Sequence, residues 1–293
     1  MKDLLRLIWY TLCRYPLALL PAPVFFNLQS LVADWRKGQR FRPMNIRHPR
    51  RFNEKIHWLK LHPMIRNGEI LADKYRVREY VEEKIGEQYL VPLLGVYDKV
   101  EDIHFESLPK QFVLKANHGS GWNIICKDKS EIDWKVACRK MKYWLKHTQY
   151  HVSREWQYKH CPRKIICEQF LEYNIVDYKF FCFDGTPRYI QIDVGRFTQH
   201  RRAFLSPDWQ LQPFTTLYPC PDQTPERPDE LEEMLDIARR LSEGMNFVRV
   251  DLYIHNHHVY FGEITLHPGG GCDFFLPDKY DYILGDMLRI QNA

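Results

Sequence analysis

The segment FVLKANHGSGWNIIC, residues 112–126, contains two short apolar runs around a loop with two glycines. Such runs around a glycine turn are typical of paired β-strands, so we expect strands over 112–116 and 123–128. The first run ends near Lys115, and burying an ammonium group is costly unless an anion meets it. The loop exposes backbone N–H groups, which together with a lysine suit a phosphate ligand. The alternative is a surface hairpin whose lysine reaches water.

A second candidate site lies in FVRVDLYIHNHHVYFGEIT, residues 247–265, which predicts a hairpin with its turn near Asn256. Folding the chain there places Asp251 near Glu263, and both carboxylates alternate with apolar neighbours. Adjacent carboxylates rarely both ionise without a cation between them, and Mg²⁺ typically uses one or two carboxylates with phosphate oxygens. Arg249 points to the same face as Asp251. The alternative is an Arg249–Glu263 ion pair within the sheet.

Acidic and basic residues also alternate in the middle of the chain. The buried strand KIICEQFL, residues 164–171, carries Glu168 near its end, and Asp177 and Lys179 share one face of the next strand. Across a hairpin with an Asp-Gly turn, Arg196 extends the same face. Lys179 and Arg196 would suit charge that develops on a phosphoryl group, and the alternative is cross-strand salt bridging.

The glycine-rich stretch LHPGGGCDFF, residues 266–275, predicts a loop that wraps a substrate, with an ordinary connector as the alternative. The HNHH run at 255–258 is predicted to be solvated rather than metal-binding, since polar residues are expected at a turn. His118 lies within the first glycine loop, where it either contacts a phosphate or is solvated.

Composition argues against several classes of protein. The 293 residues are 45% apolar, enough for one large or two modest domains. The net charge of +5 is mild, and no nucleic acid partner is expected. The eight cysteines include no CxxC pair, so we expect reduced thiols in a cytosolic protein and no zinc site.

The apolar N-terminal stretch, residues 1–26, is interrupted by charges and prolines, so neither a transmembrane span nor a signal peptide is expected. It forms one apolar helical face with basic residues nearby, which either docks on the protein's own core or lies on an anionic membrane surface. The residues of this face are Leu4, Leu5, Ile8, Trp9 and Leu12.

Helices are predicted over 70–86, 133–148 and 228–245 from apolar periodicity and terminal residues. The helices and hairpins together indicate a mixed α+β chain with antiparallel sheets rather than a series of βαβ units.

The order of motifs resembles the ATP-grasp superfamily of carboxylate–amine ligases: a strand with lysine, a glycine loop, a strand ending in Glu, a strand with Asp and a base, then RxD, ExT and PG. The segments FNEKIHWLK, ADKYRVREYV, FVLKANHGSGWNIIC and DYKFFCFDG are closer still to TupA-like ATP-grasp proteins, which are associated with bacterial surface polysaccharide biosynthesis. The resemblance covers roughly residues 45–290. It implies an α+β, ATP-grasp fold in which two antiparallel-sheet subdomains clamp ATP, preceded by a short α/β N-terminal region.

The resemblance also implies residue roles, with Thr265 standing where related ligases usually have Asn. ATP would be bound by Lys115, by the lid residues His118, Gly119, Ser120, Gly121, Trp122 and Asn123, by the adenine hinge Glu168, Gln169, Phe170 and Leu171, and by Asp177 at the ribose. Catalytic cations would be Lys179, Arg196 and Arg249, and Mg²⁺ would be bound by Asp251, Glu263 and Thr265. Substrate would be contacted by His267, Gly269, Gly270 and Gly271.

The expected domains are an N-terminal helical segment over 1–44, a region before the ATP-grasp domain over 45–108, and the ATP-grasp domain over 109–293. The last divides into 112–170, with the lid, and 171–293, with the metal-binding hairpin.

The activity implied by the resemblance is ATP-dependent amide formation through an acyl phosphate. It would join an amino acid or amino sugar to a uronic-acid-type carboxylate in capsule, O-antigen or exopolysaccharide synthesis. The reaction would take place in the cytoplasm, with contact of residues 1–30 with the inner membrane left open. The alternatives are an ATP-dependent sugar kinase, a glycosyltransferase and a non-catalytic membrane-associated binding protein.

Overall fold

A computed structural model of the chain describes residues 11, 12, 14, 16–173, 175–195 and 199–290. The α-helices are α1 (Ala22–Arg36), α2 (Phe52–Leu61), α3 (Gly68–Leu71), α4 (Val77–Ile85), α5 (Trp134–Lys146), α6 (Tyr150–Ser153), α7 (Leu231–Ser242) and α8 (Lys279–Met287). The strands are β1 (Leu93–Tyr97), β2 (Phe112–Ala116), β3 (Asn123–Cys126), β4 (Ile165–Gln169), β5 (Asp177–Phe183), β6 (Thr186–Val194), β7 (Arg201–Leu205), β8 (Thr215–Thr216), β9 (Phe247–His255), β10 (His258–Thr265) and β11 (Phe275–Leu276). Short 3₁₀ helices cover Leu17–Leu19, Glu87–Tyr89, Val100–Asp102, Phe105–Ser107, Lys129–Glu131, Trp156–Tyr158 and Pro268–Gly271.

The strands form two main antiparallel sheets, as predicted for an α+β chain. One has the order β1-β4-β2-β3, the other the order β10-β9-β5-β6-β7, and β8 and β11 form a separate pair. Because β1 pairs with β4, the first sheet begins within the range 45–108 that was assigned to the region before the ATP-grasp domain.

Both predicted hairpins form at their predicted turns. Asp184 and Gly185 have φ of 47° and 71°, and Asn256 and His257 have φ of 51° and 58°. Consecutive left-handed residues match the right-handed twist of the flanking strands, which explains why these short turns close β5–β6 and β9–β10.

The five-stranded sheet is covered on both faces, and this sets the direction of its charged side chains. Phe180 packs in a core that includes residues of α4 and α7, whereas Phe181 and Phe183 pack with residues of α2 and α8. Side chains alternate along a strand, so Asp177 and Lys179 stand on the Phe181 face. They extend that face as a polar region beyond the aromatic core.

The first sheet packs on α5, which forms over the predicted range. Asp133 caps this helix by accepting the N–H of Val136 at 3.0 Å, and Ala137, Met141 and Trp144 are buried on one face.

The helix predicted over 70–86 is interrupted between α3 and α4. Asp73 Oδ1 accepts the backbone N–H groups of Tyr75 at 2.9 Å and Arg76 at 3.2 Å. This local turn delays the start of α4 to Val77. It also places Lys74 in a turn rather than on a helix.

The N-terminal prolines begin a helix rather than preventing one, which differs from the sequence interpretation. Pro23 lies in the first turn of α1, where a backbone N–H has no helical partner to lose. The predicted apolar face over 4–12 lies outside the described residues except at its C-terminal end. Among the helices of the described residues, none is both long and apolar enough to span a bilayer.

Candidate active site

The glycine loop joins β2 to β3 and begins beside an ion pair. Lys115 Nζ lies 2.5 Å from Glu168 Oε2, and Arg78 lies 3.6 Å from the other oxygen of the same carboxylate. The Lys115 side chain is 23% exposed. The anion that meets this lysine here is therefore a protein carboxylate.

The loop is anchored at its base and open at its tip. The His118 ring is buried, and its nitrogens lie 2.9 Å from Asn117 Oδ1 and 3.0 Å from the Trp144 carbonyl. It therefore anchors the loop from within, and because the whole residue is 0% exposed, His118 is neither solvated nor available to a phosphate in this conformation. Gly121 has a φ of +68° and open space where a side chain would stand. Ser120 and Gly121 thus form an unpacked tip suited to close approach.

The acidic hairpin has the predicted register. Asp251 lies directly opposite Glu263, next to a bulge in β10. The Arg249 guanidinium binds both oxygens of Asp251 at 2.6 Å and reaches Glu263 Oε1 at 3.2 Å. Thr265 donates to that same Glu263 oxygen at 2.8 Å. The Arg249–Glu263 ion pair that was the alternative interpretation is therefore present.

Lys179 completes the cluster on the adjacent strand. Its ammonium donates to Asp251 Oδ2 at 2.7 Å and also to Asp177. The cross-strand salt bridging considered from the sequence is thus observed for Lys179. Arg196, the other cation predicted here, lies outside the described residues.

The two carboxylates differ in their ability to take a metal ion. Asp251 is 1% exposed with both oxygens bonded to cations, whereas Glu263 is 31% exposed and lines a cleft. Burial raises the pKa of Glu263, but the charges of Lys74 and Arg249 outweigh it and hold the pKa at about 2. Within the described residues no three His, Cys, Asp or Glu side chains cluster as a metal site. Glu263 Oε1 is paired with Arg249 and Oε2 lies 3.5 Å from Lys74. One exposed carboxylate is the kind of ligand that Mg²⁺ uses together with phosphate oxygens, so Glu263 would hold the ion if these cations turned to the phosphates.

Lys74 connects the glycine loop to the acidic hairpin. Its backbone N–H donates to the Asn117 carbonyl at 3.1 Å, and its ammonium donates to the Gly119 carbonyl at 2.8 Å. The same ammonium lies 3.5 Å from Glu263 Oε2. Loop and hairpin, distant in sequence, therefore meet at one cation.

The predicted adenine-hinge residues, Glu168, Gln169, Phe170 and Leu171, lie where the first sheet ends and the chain passes to the second. The Gln169 N–H donates to the Pro92 carbonyl at 2.9 Å. The predicted ribose acid Asp177 follows at the start of β5.

The triple-glycine stretch forms a tight turn beside the hairpin. Gly269, Gly270 and Gly271 have φ of 58°, 60° and 72°, which only glycine adopts readily. The buried Lys60 donates to the Gly270 carbonyl at 2.7 Å and fixes this turn. His267, just before it, is 4% exposed.

A cleft of about 280 Å³ opens between these elements. Its lining includes Lys74, Ser120, Arg249 and Glu263 together with Gly269 and Gly270. The structure thus brings the tip of the glycine loop, the acidic hairpin and the triple-glycine turn around one space. Neither Lys115 nor Asp251 lines this cleft, although Asp251 binds the guanidinium of Arg249, which does.

Lys74 and Glu155 also line the cleft, and neither was predicted. Lys74 lies within the segment ADKYRVREYV, whose Asp73 signals the turn, but its contact with Glu263 is not encoded by any local pattern. Glu155 lies between short helical turns and carries no periodic signal.

Comparison with known proteins gives a family match over most of the chain. The family model described as TupA-like ATPgrasp matches residues 54–289. No curated protein matches the chain in sequence.

Several solved ligase structures are similar at low sequence identity. D-alanine–D-alanine ligase from Bacillus anthracis complexed with ATP is 19% identical with a TM-score of 0.44, over 75% of this chain and 63% of that chain. L-amino acid ligase from Bacillus licheniformis is 14% identical with a TM-score of 0.46, over 82% and 56%. N5-carboxyaminoimidazole synthetase from Staphylococcus aureus complexed with ADP is 15% identical with a TM-score of 0.43, over 68% and 45%. The chain therefore spans about half to two thirds of the length of these structures.

Proposed function

The chain belongs to the TupA-like ATP-grasp family, and from that premise we propose that it is an ATP-dependent amide-forming ligase. The substrates that we propose are a uronic-acid-type carboxylate and an amino acid or amino sugar, joined during bacterial surface polysaccharide synthesis. The observation that carries the proposal is the meeting of the glycine loop and the acidic hairpin at Lys74.

The proposed reaction has two steps. A carboxylate oxygen attacks the γ-phosphorus of ATP, the bond to the β-phosphate oxygen breaks, and ADP leaves. The amine nitrogen then attacks the carbonyl carbon, phosphate leaves with the acyl oxygen, and the nitrogen loses its proton to form the amide. In this assignment Lys115, Lys179 and Arg249 stabilise phosphate charge, as does the predicted Arg196.

Glu263 is the residue that would hold Mg²⁺, with Thr265 beside it and Asp251 joining only if its two cations move to the phosphates. When bound, the ion would polarise the phosphate oxygens and neutralise developing charge. Glu168 through Leu171 would read adenine and Asp177 the ribose. The open loop tip at Ser120 and Gly121 would close over the phosphates and exclude water from the acyl phosphate.

The test is a screen of purified protein with ATP, Mg²⁺ and pairs of uronic acids with amino acids or amino sugars. A ligase would release free phosphate and form a product with the mass of the carboxylate plus the amine less one water. Both should be lost in Glu263→Gln. The exposed Glu82→Gln is the matched control, expected to behave as wild type. A phosphate ester without free phosphate would instead identify a sugar kinase, and transfer from a nucleotide-sugar without ATP a glycosyltransferase.

We also propose a cytoplasmic location with contact between residues 1–30 and the inner membrane. Its support is a set of exposed apolar side chains near α1, namely Leu19, Val24, Leu31 and Trp35. Basic residues such as Arg36 and Arg40 are exposed nearby and would favour anionic lipid. Sedimentation with phosphatidylglycerol vesicles, but not with phosphatidylcholine vesicles, is the expected result. No sedimentation with either kind of vesicle, or equal sedimentation with both, would refute the membrane contact.

A further inference from the structure

The turn that presents Lys74 to the cleft depends on a buried carboxylate. Asp73 is 1% exposed, and its Oδ1 accepts the backbone N–H groups of Tyr75 and Arg76, which shape the turn. The second oxygen, Oδ2, accepts the thiol of Cys161, whose Sγ lies 3.3 Å away. Within the described part of the chain no other group donates to Oδ2. Because a buried carboxylate oxygen that loses its donor is costly, the thiol stabilises the turn.

The surroundings of Cys161 keep its thiol in the role of a donor. The residue is 7% exposed and lies in the segment before β4. Burial and the charge of Asp73 raise the pKa of the thiol above its ordinary value, so it stays protonated. Its other acceptor, the Pro162 carbonyl, is more distant at 3.6 Å and already accepts the Asn117 amide at 2.7 Å. The single S–H proton therefore goes to the carboxylate, whose charge strengthens an otherwise weak donor.

The segment before β4 also holds the turn through Asn117. The side-chain oxygen of Asn117 accepts the Lys164 N–H at 2.8 Å, and its backbone carbonyl accepts the Lys74 N–H at 3.1 Å. The Lys74 ammonium in turn donates to the Gly119 carbonyl at 2.8 Å and lies 3.5 Å from Glu263 Oε2. The segment thus fixes the backbone of Lys74 while the Lys74 side chain reaches the cleft.

We propose that Cys161 is a positioning residue for the active site. Its thiol holds the Asp73 carboxylate, the carboxylate fixes the turn, and the turn directs the Lys74 ammonium to the glycine loop. Cys161 does not line the cleft, so it acts through Lys74. The consequence for ATP rests on the ligase function proposed above. A loop that Lys74 already orders loses less conformational freedom when it closes over the phosphates, which favours ATP binding.

The experiment measures amide hydrogen exchange in full-length wild type, Cys161→Ala, Cys161→Ser and the control Cys220→Ala, which removes a partly exposed thiol from the loop after β8. Peptides within 112–126 report on the glycine loop, and peptides within 177–194 report on general stability. Cys161→Ala should speed exchange over 112–126 about 10-fold, because Asp73 Oδ2 loses its donor while buried. Cys161→Ser retains a donor and should stay within about threefold of wild type. The control, and the 177–194 peptides of every variant, should exchange as in wild type.

A second comparison tests whether Cys161 acts through Lys74. In Lys74→Met the ammonium is absent, so adding Cys161→Ala should change exchange over 112–126 by less than about twofold. An effect of about 10-fold in that background would overturn the proposal, because the two changes would then be independent. Wild-type exchange in Cys161→Ala, no recovery in Cys161→Ser, or faster exchange over 177–194 would also overturn it.

These measurements need no substrate, so they separate this proposal from the ligase function. In the ligase assay, Cys161→Ala should raise the KM for ATP about fivefold, with wild-type values in Cys161→Ser and Cys220→Ala. An unchanged KM in active Cys161→Ala would overturn the consequence for ATP. No activity from wild type with any substrate pair would refute the ligase function, and the positioning role would then be decided by the exchange rates alone.

Discussion

Replacing Lys74 with Met should loosen the glycine loop. The Lys74 ammonium makes one hydrogen bond to the Gly119 carbonyl and one ion pair with Glu263 at 3.5 Å. With an effective dielectric constant of about 20, the Coulomb attraction at that distance is about 5 kcal/mol. Desolvation offsets most of it, and a net of about 1 kcal/mol remains for the ion pair. The hydrogen bond adds about 1 kcal/mol.

The sum of about 2 kcal/mol corresponds to about 30-fold more frequent opening of the loop. Amide hydrogen exchange of peptides within 112–126 measures this opening. The matched control is Lys84→Met. Lys84 lies on α4 and forms an exposed ion pair with Glu243 at 3.0 Å, so its loss should leave the loop unchanged. Exchange at the wild-type rate in Lys74→Met, with global stability also unchanged, would refute the assignment of Lys74 as the link between loop and hairpin.

Three further predictions concern the charged cluster. Asp251→Asn should destabilise the fold by about 3 kcal/mol in urea denaturation, because Lys179 and Arg249 lose their shared buried counter-charge, and a loss below about 1 kcal/mol would contradict this. The stability that Glu263 contributes should be fully present above its ordinary pKa of 4.5 and lost as pH falls toward about 2. The midpoint of urea unfolding should therefore fall less steeply with decreasing pH in Glu263→Gln than in wild type. Equal slopes for the two proteins would count against this contribution. Lys115→Met should weaken ATP binding by about 10-fold in titration calorimetry without unfolding the protein, and unchanged affinity would remove Lys115 from the nucleotide site.

Local chemistry explains which elements were predictable. The hairpins over β5–β6 and β9–β10 follow from turn residues that adopt left-handed conformations and from alternating apolar residues beside them. The opposition of Asp251 and Glu263 follows in turn, because both belong to one hairpin. Helix α5 was predictable for a similar reason, since its cap and its apolar face are contiguous in sequence.

Contacts between distant segments were not predictable. Strand β1 joins the first sheet beside β4, more than sixty residues away, by backbone pairing that carries no side-chain signature. His118 turns inward because the carbonyl of Trp144 and the amide of Asn117 lie within reach of its ring, whereas the sequence suggested only a loop position.

The sequence by itself determined the strands and turns of the two hairpins and the pairing of the two carboxylates, because each depends on residues a few positions apart. Only the tertiary structure decided that Lys74 joins the glycine loop to Glu263, and that Gln29 and Glu155 line the same cleft. These side chains come from separate elements whose spacing is set by core packing on the two sheets. Polar and charged groups interact strongly only where this packing excludes water and brings them within a few ångströms of one another.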